Sequence, residues 1–248
     1  MIELAGVVKR FGNALAVKGV SLTVAKGEFV AVLGESGSGK TTLVKMINRL
    51  VEPDDGIVRV AGKDVRGEDV VALRRRIGYV IQHVGLLPHL TIADNVATVP
   101  RLLGWTDAAI SARVAELLQL VGLPDVGGRY PEQLSGGQRQ RIGVARALAA
   151  KPGVLLLDEP LGALDPITRL GLQRELARIH KELGLTSVMV THDMVEAFTL
   201  ADRIAVMFRG ELRQIATPHE LASSPADDYV AKLVGLARDQ AELVRGLA

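Results

Sequence analysis

Short apolar segments alternate with amphipathic stretches along most of the chain. Three of the apolar segments are almost free of polar residues: 29–33, 154–157 and 187–190. Such strands are typical of a parallel sheet that helices cover on both faces, because neither face of the strand meets water. The pattern therefore predicts an α/β fold built around a mainly parallel sheet.

The N-terminal part of the chain has a different pattern. Shorter strands are indicated at residues 4–8, 17–24 and 57–65, and the last of these contains a possible hairpin turn at Ala61-Gly62. The first two of these strands, and the two arms of the hairpin, are close enough in the chain to pair antiparallel. We expect an antiparallel edge sheet at this end of the fold.

Helical patterns dominate the middle of the chain. Strand patterns fade between residues 83 and 134, and Thr91 and Thr106 each precede an apolar-periodic stretch, as helix N-caps do. This region is predicted to be a helical insertion. The remaining predicted elements are a hairpin of strands 203–208 and 211–216 that turns at Arg209-Gly210, and a last helix over 227–236.

The composition removes several classes of site. The 248 residues are 48% apolar, enough for the core of one large domain, and contain no cysteine, which excludes disulfides and thiolate metal sites. No 18-residue apolar run and no signal-peptide pattern occur, so we expect a chain that neither spans a membrane nor is exported. The 30 Lys and Arg are balanced by 28 Asp and Glu, and only 3% of residues are aromatic, which argues against nucleic-acid binding.

The strongest chemical signal directly follows the first buried strand. Residues 34–41 match the phosphate-binding pattern G-x-x-x-x-G-K-[ST]. The glycines let successive backbone amides and the start of the next helix point at a phosphate, while Lys40 reaches the β- and γ-phosphates and Thr41 is placed to ligate Mg²⁺. The predicted nucleotide-binding residues here are Gly34, Glu35, Ser36, Gly37, Ser38, Gly39, Lys40, Thr41 and Thr42.

Two carboxylates follow the second buried strand. Asp158 and Glu159 come at the end of 154–157, on the side where α/β sheets bind ligands. Asp158 is placed to hold Mg²⁺, and Glu159, which faces elsewhere, to orient or deprotonate a water that attacks the γ-phosphate.

A third motif, Leu-Ser-Gly-Gly-Gln at 134–138, opens a helical stretch. The spacing of Ser135 and Gln138 indicates a capping box. Gly136 and Gly137 lower the stability of a helix start, so their presence needs a reason. The functional reason would be close approach of an anion to the amides of 136–138 and the Ser135 hydroxyl. A plain helix cap is the alternative interpretation.

In this order, the three motifs resemble the nucleotide-binding subunit of ATP-binding cassette (ABC) transporters, and the resemblance covers residues 1–237. It implies a P-loop NTPase core with an N-terminal antiparallel β subdomain, a helical subdomain inserted at about 83–147, and a short tail at 238–248. The residues that it adds are Phe11, which stacks on adenine; Gln82, which contacts Mg²⁺ or water; Asp165, in the loop 163–165 that crosses a dimer interface; and His192, which contacts the γ-phosphate.

The resemblance also departs from the family pattern at two positions. Gly162 stands where many relatives have serine, so any hydroxyl contact from that position is absent. Glu35 stands where many relatives have proline, and we expect little effect because backbone amides do most of the binding there.

In the family the phosphate loop of one chain faces the 134–138 signature of another, so the resemblance implies a homodimer closing on two ATP molecules with Mg²⁺. It also implies membrane permease subunits, an extracytoplasmic binding protein, and a location on the cytoplasmic face of the membrane. The loop 84–90 is apolar, which suits either docking of the permease or burial against the insertion. Segments 77–105 and 159–169 look like the subfamily that imports glycine betaine, choline and carnitine.

Other functions stay open at this point. An ABC importer of amino acids or another small polar solute differs only in its permease and binding protein. A soluble ABC ATPase of repair or translation usually has two cassettes or a long coiled-coil insertion, and neither is present here. A P-loop GTPase is disfavoured because no Asn-Lys-x-Asp motif occurs; a P-loop kinase is a further alternative.

Overall fold

A computed structural model describes residues 1–82, 84–162 and 164–245 of the chain. The chain forms two compact units, one comprising Met1–Gly67 and the chain from Val188 onward, and the other Glu68–Ser187. Within the described ranges, no helix has both the length and the apolar character that crossing a membrane requires.

The described residues form ten strands and nine α-helices. The strands are β1 (Ile2–Phe11), β2 (Ala14–Val24), β3 (Phe29–Leu33), β4 (Asp55–Val60), β5 (Lys63–Asp64), β6 (Ile77–Val80), β7 (Val154–Asp158), β8 (Thr186–Thr191), β9 (Arg203–Phe208) and β10 (Glu211–Ala216). The helices are α1 (Lys40–Ile47), α2 (Val70–Arg75), α3 (Ile92–Leu102), α4 (Asp107–Leu120), α5 (Gly136–Leu148), α6 (Pro166–Leu183), α7 (Met194–Leu200), α8 (Pro218–Ser223) and α9 (Asp228–Arg245).

The first unit contains the predicted antiparallel sheet, in the order β2-β1-β4-β5. Its hairpin turns at Ala61-Gly62, as expected, because Val60 pairs with Lys63 and both turn residues have positive φ. Val65 ends the predicted strand but lies in a short 3₁₀ turn. The antiparallel prediction is thus confirmed, with a shorter last strand.

The same unit holds the strands that carry the first motif, in the order β10-β9-β3-β8. β3 runs parallel to β9, and all five of its residues are buried. The predicted hairpin between β9 and β10 turns at Arg209-Gly210, where both residues have positive φ. The parallel strand β3 therefore leads through a glycine-rich loop into α1, as the motif requires.

The second unit combines the parallel pair β6 and β7 with the helices α2 to α6. Thr91 accepts a hydrogen bond from the Asp94 amide and Thr106 accepts one from the Ala109 amide, so both predicted N-caps are confirmed. Helices α3, α4 and α5 pack on one another through buried faces that include Val96 and Ile142. The described part of the predicted insertion contains three α-helices and two 3₁₀ turns, joined by loops.

The last helix is longer than its pattern indicates. We predict an end at residue 236, but α9 continues to Arg245. Residues 236–245 contain neither glycine nor proline, and most of them are good helix formers, so nothing in the sequence ends the helix before Gly246. The predicted boundary between residues 237 and 238 therefore falls inside a helix. Residue 83, where the predicted insertion begins, and 246–248 of the predicted tail lie outside the described residues.

Candidate functional site

The phosphate-binding loop connects β3 to α1 in the first unit. Gly39 caps α1 with φ at 99°, a conformation that glycine adopts without steric cost. A Cβ on Gly34 would overlap the carbonyl oxygen of Met207, and one on Gly39 would overlap that of Ala16. Neighbouring backbone thus requires glycine at both positions, which leaves the loop amides without side chains above them.

Lys40 lies inside this loop and is only 4% exposed. Its Nζ donates to the carbonyl oxygens of Gly34 and Glu35, both at 2.7 Å. The Ser38 hydroxyl is buried and has no hydrogen-bond partner among the described residues. A buried cation and an unsatisfied donor in one loop fit a phosphate group, because a phosphate oxygen accepts from both. Thr41 follows in the first turn of α1, half-buried.

Phe11 and His192 belong to the same unit. Phe11 ends β1 and is 52% exposed, with the Lys9 ammonium 5.5 Å from its ring centroid. An exposed ring at a strand end is available for stacking. His192 is exposed in the turn between β8 and α7.

That turn is held by a short network. The Asp193 amide donates to Thr191 Oγ1 at 3.0 Å, and Thr191 Oγ1 donates to Glu196 Oε2 at 2.6 Å. Asp193 in turn caps α7 by accepting from the amides of Val195 and Glu196. The backbone on either side of His192 is therefore fixed.

Asp158 is buried at the end of β7 in the second unit. The Tyr79 hydroxyl donates to its Oδ2 at 3.2 Å. Burial, and the charge of Asp158, raise the pKa of Tyr79 far above its usual value, so the phenol stays protonated and remains a donor. Tyr79 was not predicted as a site residue. Its strand β6 pairs with β7 so that Tyr79 stands opposite Leu156, two residues before Asp158 on the same face, but only the strand pairing reveals this.

Glu159 lies next to Gln82. Gln82 Nε2 donates to Glu159 Oε2 at 3.2 Å. Glu159 has φ at 46°, a left-handed conformation that non-glycine residues adopt at a cost, often at functional sites. The two successive carboxylates thus accept hydrogen bonds from different partners, Asp158 from Tyr79 and Glu159 from Gln82.

The capping box at 135–138 is confirmed. Ser135 Oγ accepts from the Gln138 amide at 3.2 Å, and Gln138 Oε1 accepts from the Ser135 amide at 3.0 Å. The two glycines have different surroundings. Nothing lies within 4 Å of a Cβ placed on Gly136, whereas a Cβ on Gly137 would overlap Cγ2 of Thr168 in α6. Gly136 thus leaves its amide open to an anion, while helix packing inside the unit also requires Gly137.

This packing gives a stability prediction. Gly137→Ala should lower the free energy of unfolding by about 1–3 kcal/mol, because the added methyl group overlaps Thr168. Thr168→Ser removes the methyl group that the new side chain would overlap. In that background Gly137→Ala should be neutral or stabilising, because alanine is about 1 kcal/mol more favourable in a helix than glycine. Urea unfolding of the four proteins measures both effects. An equal loss in both backgrounds would contradict the assigned contact.

Asp165 has a structural partner in addition to its proposed role at a dimer interface. It caps α6 by accepting from the Thr168 amide at 3.0 Å, and the hydrogen bonds from Thr168 lower the pKa of the Asp165 carboxyl. Ala163 of the predicted interface loop lies outside the described residues. A Cβ on Gly162 would meet Glu159 Oε2 at an ordinary distance of 3.6 Å, so the site has room for the side chain that many relatives carry there.

The loop 84–90 is partly exposed. Leu87 is 38% exposed, and no residue from 84 to 90 is fully buried. The buried Asn95 holds the loop from below: its side chain accepts from the Leu87 amide and donates to the carbonyls of Leu87, Leu90 and Thr91. Arg146 donates to the carbonyl of Gly85 at 2.6 Å. Leu87 is thus exposed as docking would require, whereas Val84, Leu86 and Leu90 are half-buried, so each of the two interpretations left open by the sequence applies to part of the loop.

The predicted residues are thus distributed over both units. The first holds Phe11, residues 34–42 and His192, and the second holds Gln82, residues 135–138, Asp158, Glu159 and Asp165. Among the described residues, no three His, Cys, Asp or Glu side chains cluster as a metal site would require. A single carboxylate and a hydroxyl suffice for Mg²⁺, which usually completes its shell with water and substrate phosphates.

Comparisons with known proteins show which family the chain resembles. Residues 17–162 match the family model described as ABC transporter. The choline transport ATP-binding protein OpuBA of Bacillus subtilis is 51% identical over 96% of this chain, which spans 63% of that relative's length. The glycine betaine uptake system ATP-binding protein YehX of Escherichia coli is 52% identical over 95% of this chain and 77% of its own. A solved dimeric ATP-binding cassette in a post-hydrolysis state bound to ADP and Pi matches 88% of this chain and 99% of its own, with a TM-score of 0.79 and 34% identity.

Proposed function

Because the chain belongs to the ABC transporter family, we propose that it is the ATP-hydrolysing subunit of an importer for osmoprotectants such as glycine betaine, choline or carnitine. The observation that carries the ATPase part is the phosphate loop, which holds the buried ammonium of Lys40 and a buried Ser38 hydroxyl that has no partner among the described residues. The proposed cargo is supported by the names of two relatives, a choline transport ATP-binding protein and a glycine betaine uptake ATP-binding protein.

The proposed chemistry follows from the side chains. Lys40 and the amides of 37–41 bind the β- and γ-phosphates, and Phe11 stacks on the adenine. Glu159, positioned by the Gln82 amide, accepts a proton from the attacking water, and His192 contacts the γ-phosphate. When bound, Mg²⁺ would neutralise the negative charge of the phosphate oxygens. The residues proposed to hold it are Thr41, Gln82 and Asp158, and the Tyr79 hydroxyl keeps the Asp158 carboxylate in one orientation.

The proposal includes an assembly. Two copies of the chain close on two ATP molecules, with Ser135, Gly136, Gly137, Gln138 and Asp165 supplied by the partner copy. The dimer binds permease subunits at the cytoplasmic face of the membrane and, through them, an extracytoplasmic binding protein. Residues 1–237 form the ATPase domain, with the helical subdomain inserted at about 83–147. The dimeric state of the solved relative supports the dimer.

A co-purification experiment tests this assembly. Tagged Glu159→Gln chain is expressed in its own host, solubilised in mild detergent with Mg-ATP, and recovered with whatever it binds. Recovery of a multi-span permease is expected. Ribosomal or DNA-repair partners in its place would leave the ATPase chemistry standing and remove transport.

The cargo is tested through the co-purified transporter. Its binding protein is titrated with glycine betaine, choline, carnitine and, as the competing candidate, sulfate, since a sulfate/thiosulfate import ATP-binding protein is 49% identical over 94% of this chain. Binding of the quaternary amines alone supports the proposal. Binding of sulfate alone refutes it.

The partly exposed loop 84–90 gives a prediction about the permease. Leu87→Asp should reduce co-purified permease at least tenfold, because a charge at an apolar interface must be desolvated on docking. Leu102→Asp is the matched control, since Leu102 is 60% exposed in the same unit but outside the loop. Quantitative mass spectrometry of the recovered complex measures the effect. Equal recovery with both variants would place the docking surface elsewhere.

A further inference from the structure

A cavity of about 520 Å³ in the first unit is lined partly by the phosphate loop and partly by residues that the proposed function does not use. Its walls are residues 35–38 of the phosphate loop; the end of β9 with its turn, Phe208-Arg209; and one face of α9. The loop and the turn are joined directly, because the Gly210 amide donates to the Ser38 carbonyl at 3.0 Å. A ligand in this cavity would therefore contact the phosphate loop.

The helix presents a defined face to the cavity. Tyr229, Lys232, Leu233 and Leu236 line it, with the i, i+3, i+4, i+7 spacing of one helical face. The neighbouring Val230 and Val234 are buried in the core of the unit, and the Tyr229 ring stacks on Phe208 with 4.1 Å between centroids. Core packing and the aromatic stack fix this face in place.

The start of the helix is fixed as well. Asp227 Oδ1 accepts from the Val230 amide at 2.9 Å, and Arg213 Nε donates to Asp227 Oδ2 at 2.7 Å. The cavity is therefore preformed, because hydrogen bonds hold the first turn of α9, the helix that forms one of its walls.

The charges that line the cavity are unbalanced. Lys232 and Arg209 form no ion pair within the described part of the chain, although Arg213 nearby pairs with both Glu211 and Asp227. The Arg209 guanidinium lies 4.9 Å from the Phe208 ring centroid. Glu35 is the one acidic residue among the lining residues. Two cations beside the apolar Leu233 and Leu236 favour a ligand that has both an acidic group and an apolar body.

One hydroxyl group at the cavity also lacks an acceptor. The Tyr229 hydroxyl is buried and donates to no acceptor among the residues that the structure describes. Burial, followed by the charge of Glu35, raises the pKa of Tyr229, so the phenol stays protonated and can donate. Unsatisfied buried donors are rare in folded proteins and indicate a missing acceptor.

We propose that this cavity binds a small amphipathic anion, with its acidic group on Lys232 and Arg209 and its apolar body against Leu233 and Leu236. Because residues 35–38 form one wall, the bound anion changes the affinity of the phosphate loop for nucleotide. This second statement rests on the proposed ATP binding, whereas the site itself does not.

Titration of the full chain with 2-naphthoate, followed calorimetrically without nucleotide, tests the site. Lys232→Gln should weaken binding about tenfold or more, the typical effect of losing a charge-assisted contact. Arg238→Gln is the matched control: it removes the same charge from an exposed position of the same helix that does not line the cavity, and it should leave binding unchanged. No binding by the wild type, or equal binding by Lys232→Gln and the wild type, would overturn the proposal.

The coupling is measured in a second titration with the Glu159→Gln chain and ATP. Naphthoate should change the ATP dissociation constant, and ATP should change that of naphthoate by the same factor. A different result would be that ATP abolishes naphthoate binding completely, to the same extent with and without Lys232→Gln. That result would mean that naphthoate occupies the phosphate loop, and it would overturn the site. Two independent affinities would retain the site and refute the coupling. Failure of ATP to bind at all would refute the proposed function, while the titration without nucleotide still decides the site.

Discussion

Glu159→Gln is expected to lower kcat for ATP hydrolysis by about 10²- to 10⁴-fold, the usual effect of losing a general base. The amide has the size of the carboxylate but cannot take a proton from water at neutral pH. The neighbouring Gln82 amide can still donate to the remaining carbonyl oxygen, so the local structure should persist. ATP affinity should be unchanged, because Glu159 is not among the groups proposed to bind the phosphates.

Two measurements separate these effects. Phosphate release under saturating Mg-ATP gives kcat, and equilibrium binding of a fluorescent ATP analogue gives the dissociation constant. Asp125→Asn is the control for the loss of one negative charge, since Asp125 is exposed in the same unit and is not a proposed site residue. Normal turnover by Glu159→Gln would refute the assigned role. Loss of both turnover and binding would point to a structural role for Glu159, which its left-handed backbone makes the main alternative.

Local patterns predicted the elements that hold the site because each of them depends on neighbouring residues. The buried strand β3, the caps Thr91 and Thr106 and the capping box at 135–138 are all visible within a few residues of sequence. Glycine at 34 and 39 is a local signal as well. What the sequence could not reveal is which backbone lies against these glycines, because Met207 and Ala16 are distant in the chain.

Contacts between distant elements were missed for the same reason. Tyr79 reaches Asp158 only because β6 pairs with β7, and Thr168 reaches Gly137 only because α6 packs beside α5. The sequence indicates anion approach for both glycines at 136 and 137, with a plain helix cap as the alternative, whereas the structure shows that one position is open and the other is packed. A motif identifies the chemistry of its residues, but packing decides how many functions each residue has.

Lys40→Ala should weaken ATP binding by about 10- to 100-fold, since hydrogen bonds to a charged group contribute about 1.5–3 kcal/mol. The Lys40 ammonium is buried and donates to two loop carbonyls, so part of any change could come from the loop itself. Lys45→Ala in the same helix is therefore the control for removing a lysine from α1.

Thermal or urea unfolding with and without ATP distinguishes loss of binding from loss of the loop. At a concentration 100 times its dissociation constant, ATP stabilises the wild type by about 2.7 kcal/mol, and a 100-fold weaker variant gains only about 0.4 kcal/mol at that concentration. If Lys40→Ala lowers stability equally with and without ATP, then Lys40 supports the loop and not the phosphate. If the stability without ATP is unchanged and only the gain from ATP is lost, the buried ammonium binds phosphate, because no other property of the chain has changed.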